Sequence, residues 1–216
     1  MEISKIEMHD VLPAVFAQRG GAESEVWCRD ITFERGKRYL VAAHSGTGKS
    51  SLCSYLYGYR NDYSGSIKFG STDITSLNIA QWCEVRCRHL AYLPQEMRLF
   101  PELTAMENVE LKNRLTGYRS KADITQMFER LGIPEKKDQL MAHLSIGQQQ
   151  RVAIIRTLCQ PFDFILLDEP VSHLDETNNR LAATLVAEEA ARQGAGIIAT
   201  SVGNDVMITI DKGYKL

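Results

Sequence analysis

The chain has 216 residues, enough for one large domain or one domain with a modest insertion, and too few for two independent cores. Hydrophobic residues make up 44% and charged residues 24%, which excludes disordered and low-complexity classes. Lys plus Arg number 25 against 27 Asp plus Glu, a net charge of -2, so the basic surplus of a nucleic-acid binder is missing and no nucleic acid is expected as a partner.

In chain order, strands are predicted over Ile3 to Met8, Val26 to Phe33, Arg38 to Ala43, Ser66 to Phe69, Leu90 to Pro94, Asp163 to Asp168, Gly196 to Thr200 and Val206 to Ile210. The first, second and fourth mix polar with apolar residues and suit an antiparallel flank. The runs Tyr39 to Ala43, Phe164 to Leu167 and Ile197 to Ala199 are almost wholly apolar, as strands covered on both faces should be. Between residues 95 and 160 the strand signal gives way to helices over Leu103 to Leu115 and Lys121 to Leu131, the latter stopped by Gly132-Ile133-Pro134. A further helix spans Asp175 to Gln193, with Leu181 and Leu185 on one face and Gly194 as its cap. The reading is an α/β core, 1–94 and 161–216, with a helical insertion over about 95–160.

No apolar window approaches the roughly 20 residues that cross a bilayer, and the start of the chain carries no secretory pattern. The five cysteines are scattered; Cys83 and Cys87 would share a helix face, but no second ligand pair accompanies them. They read as thiols in a reducing compartment, the cytosol.

Ala43-His44-Ser45-Gly46-Thr47-Gly48-Lys49-Ser50 follows an apolar strand and precedes a helix from Ser51 to Tyr57 that ends at Gly58. That is the context of a phosphate-binding loop. Gly46 and Gly48 allow turns in which successive N–H groups face a phosphate, and the helix start adds its positive dipole end. Lys49 would reach the β- and γ-phosphates of a nucleotide, and the Ser50 hydroxyl would ligate Mg²⁺. The usual first glycine is Ala43 here, so the loop entry is either extended or slightly strained.

Downstream, Asp168 and Glu169 end a buried strand, at the sheet end where ligands of open α/β sheets bind. Asp168 is positioned for Mg²⁺, directly or through water, and Glu169 for orienting or deprotonating an attacking water. Leu144-Ser145-Ile146-Gly147-Gln148-Gln149-Gln150-Arg151 opens a helix with Val152, Ile155 and Leu158 on one face, and Ser145 with Gln148 has capping-box spacing.

This last segment resembles the signature motif of ATP-binding cassette (ABC) ATPases, with Ile146 in place of the first glycine. Gln95 is similar to the family's Q-loop glutamine, and Ser172-His173-Leu174-Asp175 to its D-loop. Phe100 to Val109 resembles the single-cassette group of lipoprotein-releasing, macrolide-export and cell-division transporters. The resemblance covers nearly the whole chain. It implies a P-loop NTPase core with an antiparallel flank and a helical subdomain, binding ATP with Mg²⁺ on Ser50, Gln95 and Asp168. The nucleotide would contact Ala43 to Ser51 and Gln95, while Ser145, Gly147 and Gln148 would grip the γ-phosphate held by a second copy. It further implies membrane-embedded permease subunits as separate chains, a homodimer formed on ATP binding, and a location on the cytoplasmic face of the membrane.

Two departures matter. The family carries a switch histidine after the last core strand, and Ser201-Val202-Gly203-Asn204-Asp205 has none. Either Glu169 suffices with slow turnover or help from the partner, or the chain is a nucleotide-gated clamp that hydrolyses weakly. His44 and His173 lie in loops near the expected phosphates; either could substitute, but each reads first as a solvent-facing loop histidine. The short helix after the switch is also missing, because Val206 to Gly213 reads as a terminal hairpin turning at Asp211-Lys212-Gly213. For the adenine, Phe16 is the best-placed aromatic, though it also suits a core contact; Trp27 and Tyr39 read as structural. A soluble ABC ATPase acting on DNA or ribosomes is disfavoured, because the span from Gln95 to Leu144 is too short for a long coiled-coil arm.

Overall fold

The structure is a computed structural model describing residues 2–17, 24–42 and 46–216. Its frame is a parallel sheet ordered β6-β7-β8-β3-β9, from β3 (Arg38–Ala42), β6 (Leu90–Leu93), β7 (Phe164–Asp168), β8 (Gly196–Ser201) and β9 (Lys212–Lys215). Every residue of β7 and β8 is buried, and alternation along β7 sorts its side chains to two faces. Phe164 and Leu166 join one hydrophobic cluster, Ile165 and Leu167 the other.

The first cluster is closed by an antiparallel sheet, β2-β1-β4-β5, built from β1 (Lys5–Pro13), β2 (Ile31–Glu34), β4 (Tyr63–Phe69) and β5 (Thr72–Asp73). Within it lie Leu52, Tyr55 and Leu56 of α1 (Lys49–Leu56) and Val85 of α2 (Ile79–Arg88). The second cluster is covered by α3 (Ala105–Asn113), α4 (Lys121–Arg130), α5 (Ile146–Thr157) and α6 (Glu176–Gln193). Capping boxes set the starts of α3, α4 and α5 through Thr104 with Glu107, Ser120 with Asp123 and Ser145 with Gln148. The helices of 95–160 share a continuous core with the sheet. Tyr118 and Arg119 lock their far loop to α6, where the buried Glu189 pairs with both Arg119 and Arg192.

Several expectations are corrected. Residues 24–29 form a turn, not the start of a strand: Ser24 Oγ accepts the N–H groups of Val26 and Trp27, and Cys28 takes a φ of 55°. The buried Val26 and Trp27 had lent this turn a strand-like pattern. Val206 to Ile210 is not a strand, and Asp211-Lys212-Gly213 does not turn a hairpin. Val206 and Ile208 are buried in the helical-side core, and the side chain of Asn179 serves the local backbone, donating to the Asp205 carbonyl and accepting from Met207 N–H. The chain then enters β9 parallel to β3. Leu181 does not share the buried face of Leu185: it is 38% exposed, and Ala182, Leu185, Val186 and Ala190 form that face. Helix α2 was not expected, although Asn78 and Gln81 make a capping box at its start. All five cysteines are free.

Candidate functional site

The phosphate-loop expectation for Ala43, His44 and Ser45 lies outside the described residues, and with it the use of His44 as a substitute histidine. From Gly46 onward the loop is defined. Gly46 and Gly48 take φ of 83° and 100°, and Gly48 caps the N-terminus of α1. A side chain at Gly48 would collide with two rings, its Cβ standing 2.9 Å from Phe16 and 3.2 Å from Trp27. Glycine is therefore required by close approach as well as by backbone conformation. Trp27 Nε1 donates to the Thr47 carbonyl at 3.2 Å, so this tryptophan braces the loop. Its structural role had been expected, its contact with the loop had not. Tyr39 is structural as well, stacking on Tyr214 and accepting the Glu34 N–H.

A cleft of about 300 Å³ opens at this loop, lined by Phe16, Gly46, Gly48, Lys49, Ser50, Ser51, Gln95 and Glu169 among others. Lys49 is buried, and its Nζ lies 3.7 Å from Glu169 Oε1. From the opposite side Gln95 Nε2 donates to Glu169 Oε2 at 3.2 Å. Residues from α1, the segment after β6 and the end of β7 thus meet on one carboxylate, because β6, β7 and β3 run in parallel and end on the same side.

Asp168 is buried beneath this point, and burial raises its carboxyl above the ordinary range, against hydrogen bonds from Thr200 and Ser50 and the charge of Lys49. Thr200 Oγ1 donates to Asp168 Oδ1 at 2.8 Å and accepts the Glu169 N–H at 3.2 Å. Glu169 itself takes a φ of 51°, a left-handed conformation that carries strain for a side chain of this kind.

Ser145, Gly147 and Gln148 lie outside the cleft, at the start of α5. Ser145 and Gln148 bond each other in the capping box, with Ser145 Oγ accepting the Gln148 N–H and Gln148 Oε1 accepting the Ser145 N–H. Ile146 is 49% exposed beside them. Gly147 packs on the D-loop, where an added Cβ would sit 2.9 Å from the His173 carbonyl oxygen. Along the same helix the buried Gln150 donates to the Glu169 carbonyl at 3.2 Å and accepts the His173 N–H at 3.0 Å. At its far end Arg156 donates to the carbonyls of Met97 and Arg98, which have positive φ just after Gln95. One helix therefore joins the signature segment, the D-loop, Glu169 and the segment following Gln95.

The family model described as ABC transporter matches residues 29–172. This chain belongs to the ABC transporter family. It is 31% identical to the ABC transporter ATP-binding protein YtrE of Bacillus subtilis (strain 168), over 86% of this chain and 83% of that protein. It is 32% identical to the lipoprotein-releasing system ATP-binding protein LolD of Legionella pneumophila (strain Lens), over 78% of this chain and 76% of that protein. Its fold matches the dimeric structure of MJ0796, a bacterial ABC transporter cassette, with a TM-score of 0.77 over 91% of this chain and 87% of that one, at 22% identity. The α/β core with antiparallel flank and helical insertion is that of an ABC ATPase cassette.

Against the ABC pattern, the turn after β8 has no histidine, and its polar groups serve the fold. Ser201 Oγ bonds Asp205 Oδ1, and Asn204 Nδ2 donates to the Val171 carbonyl at 2.9 Å. His173 does not line the cleft; its ring bonds the neighbouring Ser172 hydroxyl, and its backbone belongs to the D-loop contacts above. Ser50, Asp168 and Gln95, the residues expected at Mg²⁺, all carry side-chain oxygen, and among the described residues no cluster of three His, Cys, Asp or Glu side chains could hold a metal alone. That fits a hard cation that takes one carboxylate and completes its shell with phosphate oxygens and water. Sequence reasoning missed the roles of Gln150 and Thr200 and the contact of Trp27 with the loop. Their side chains act on backbone groups of segments distant in sequence, and no local pattern marks them.

Proposed function

We propose that this chain is the ATP-binding and ATP-hydrolysing subunit of a membrane transporter, acting through an ATP-dependent dimer in which each copy completes the other's site. The observation that carries this reading is the convergence of Lys49 and Gln95 on Glu169 in the phosphate-loop cleft, with Ser145 and Gly147 displayed elsewhere on the same chain. A triphosphate entering the cleft meets the N–H groups at the start of α1 and draws Lys49 from Glu169 to its own oxygens. Glu169, released from that cation, accepts a hydrogen bond and then a proton from a water in line with the terminal phosphorus. Gln95 holds one carboxylate oxygen and so helps orient the other. Phe16, which lines the cleft and packs in part on the core, is the aromatic that would stack on the adenine. Mg²⁺ bound with the nucleotide, on Ser50, Asp168 and Gln95, would neutralise charge on the phosphates. Ser145 and the Gly147 N–H, at a helix N-terminus, would bind the terminal phosphate held by the second copy.

The membrane subunits would be separate chains, and no helix among the described residues is long and apolar enough to cross a membrane. A groove of about 270 Å³ beside Pro94, with Tyr59, Phe100, Leu111 and Leu115 partly exposed, suits a cytoplasmic segment of such a subunit. Its lining includes the exposed Arg98 and the half-buried Lys112 and Arg156, so an apolar segment with an acidic flank would be the fitting partner. This arrangement would hold the chain at the cytoplasmic face of the membrane. A second reading, a nucleotide-gated clamp with weak hydrolysis, is favoured by the turn at 201–205, which lacks a histidine and spends its polar groups internally.

Lys49→Ala tests the reading. MgATP affinity should fall by about 10- to 100-fold with the loss of a charge-assisted contact, read by titration with a fluorescent nucleotide. Unchanged affinity would remove the phosphate-loop assignment.

A further inference from the structure

The cleft explains what Glu169 would do, but not what keeps it there. Its backbone sits at a φ of 51° at the end of β7, a conformation that non-glycine residues leave unless the surroundings hold them. Two buried polar side chains flank its backbone. On one side Thr200 Oγ1, from β8, accepts the Glu169 N–H at 3.2 Å while donating to Asp168 Oδ1 at 2.8 Å. On the other, Gln150 Nε2, from α5, donates to the Glu169 carbonyl at 3.2 Å. Gln150 is anchored in turn by the His173 N–H at 3.0 Å and lies 3.4 Å from the Ser172 hydroxyl. Thr200 is 1% exposed and Gln150 2%, so water cannot replace either bond. Neither lines the nucleotide cleft.

We infer that Thr200 and Gln150 are positioning residues for the hydrolytic step, clamping the Glu169 backbone from its two ends so that the carboxylate stays aimed at the attacking water. The inference rests on the reading of Glu169 as the group that activates that water. The clamp has particular weight in a chain with no histidine at 201–205 to share the alignment. Thr200 also registers the carboxylate of Asp168 against the amide of Glu169, because one hydroxyl serves both. Gln150 makes the position of Glu169 depend on α5 and on the D-loop, the two elements that meet at Gly147.

The test uses the full chain and four variants: Thr200→Val, which loses the hydroxyl at nearly constant shape, Thr200→Ser, which keeps it, Gln150→Met, and the Val–Met double. Steady-state kcat and KM for MgATP, nucleotide Kd and melting temperature are measured for each. Misaiming a reacting group by a fraction of an ångström to an ångström should lower kcat by about 10- to 100-fold in Thr200→Val and Gln150→Met, with KM and Kd within about threefold of the parent. Thr200→Ser should recover kcat to within about threefold, and the double variant should fall little below the worse single, because both hold the backbone of the same residue and either loss frees it. The clamp is overturned if Gln150→Met, which stands on a different element from Thr200 and decides independently of whether Thr200→Val folds, keeps the parental kcat. Equal losses in Thr200→Ser and Thr200→Val also overturn it, since the hydroxyl is then not what matters, and so do multiplicative losses in the double, which mark two independent effects rather than one clamp. Glu169→Gln run in parallel separates the two levels. If it keeps parental turnover, the reading of Glu169 fails; if it alone loses turnover, only the clamp fails.

Discussion

Neutralising Glu169 probes the centre of the site most directly. Its carboxylate faces Lys49 at 3.7 Å in a largely buried setting. At an effective dielectric near 20 that separation corresponds to about 4 kcal/mol of direct attraction, before desolvation is counted. An arriving phosphate takes over most of this attraction, so only a fraction of it can appear in affinity. The same carboxylate also repels the phosphate. Glu169→Gln keeps the shape and the hydrogen bond from Gln95 Nε2 but removes both charge effects. MgATP should therefore bind as tightly as to the parent, or up to about tenfold more tightly, a difference of about 1.4 kcal/mol. Hydrolysis should fall by about 10²- to 10⁴-fold with the loss of the proton acceptor. With binding intact and turnover stopped, the ATP-bound dimer should accumulate. Nucleotide titration, single-turnover phosphate release and light scattering with millimolar MgATP read the three quantities. Turnover within about threefold of the parent would refute the assignment of Glu169, and a variant and parent that both stay monomeric would refute the completion of one copy's site by another.

Two further expectations follow from the same geometry. Burial raises the carboxyl of Asp168, so its charged form costs stability as pH rises through that raised value, and the cost is absent in acid where the group is neutral. Asp168→Asn should accordingly raise the melting temperature of the nucleotide-free chain near neutral pH, by about 2–4 °C per kcal/mol, with the gain vanishing below the ordinary carboxylate range, while hydrolysis is lost. A lower melting temperature at neutral pH would contradict the burial argument. Gly147→Ala brings a Cβ within 2.9 Å of the His173 carbonyl, so α5 and the D-loop must move apart. Melting should drop by a few degrees, for a strain of about 1–2 kcal/mol, with MgATP affinity at the chain's own phosphate loop retained and dimer formation weakened. A dimer as stable as that of the parent, in a Glu169→Gln background, would show that this contact is not used.

What is legible in the sequence depends on the range of the interaction concerned. The glycines and Lys49 of the phosphate loop, the apolar runs of β7 and β8, and the capping pair Ser145 and Gln148 were all legible, because each is a property of a few contiguous residues. Even the missed helix α2 had its signal in place at Asn78 and Gln81. The segment 206–210 misled for a related reason. Alternating burial of Val206 and Ile208 is what a strand produces, yet here it comes from a loop that seats both in the helical-side core while Asn179 serves its backbone.

The chain alone therefore determined its family motifs and most of its local structure, which stretches would be helix or buried strand and where the glycine-lysine loop and the capped helix would fall, since propensity, periodicity and capping act over neighbouring residues. Only the tertiary structure decided that Gln150, a polar residue in a helix, would be buried against the Glu169 carbonyl, that Thr200 would serve Asp168 and Glu169 together, and that Trp27 would support the phosphate loop from within a turn. Those partners are brought together by strand order and helix packing, and a side chain's hydrogen-bond partner across such a distance is written in the packing of the whole domain.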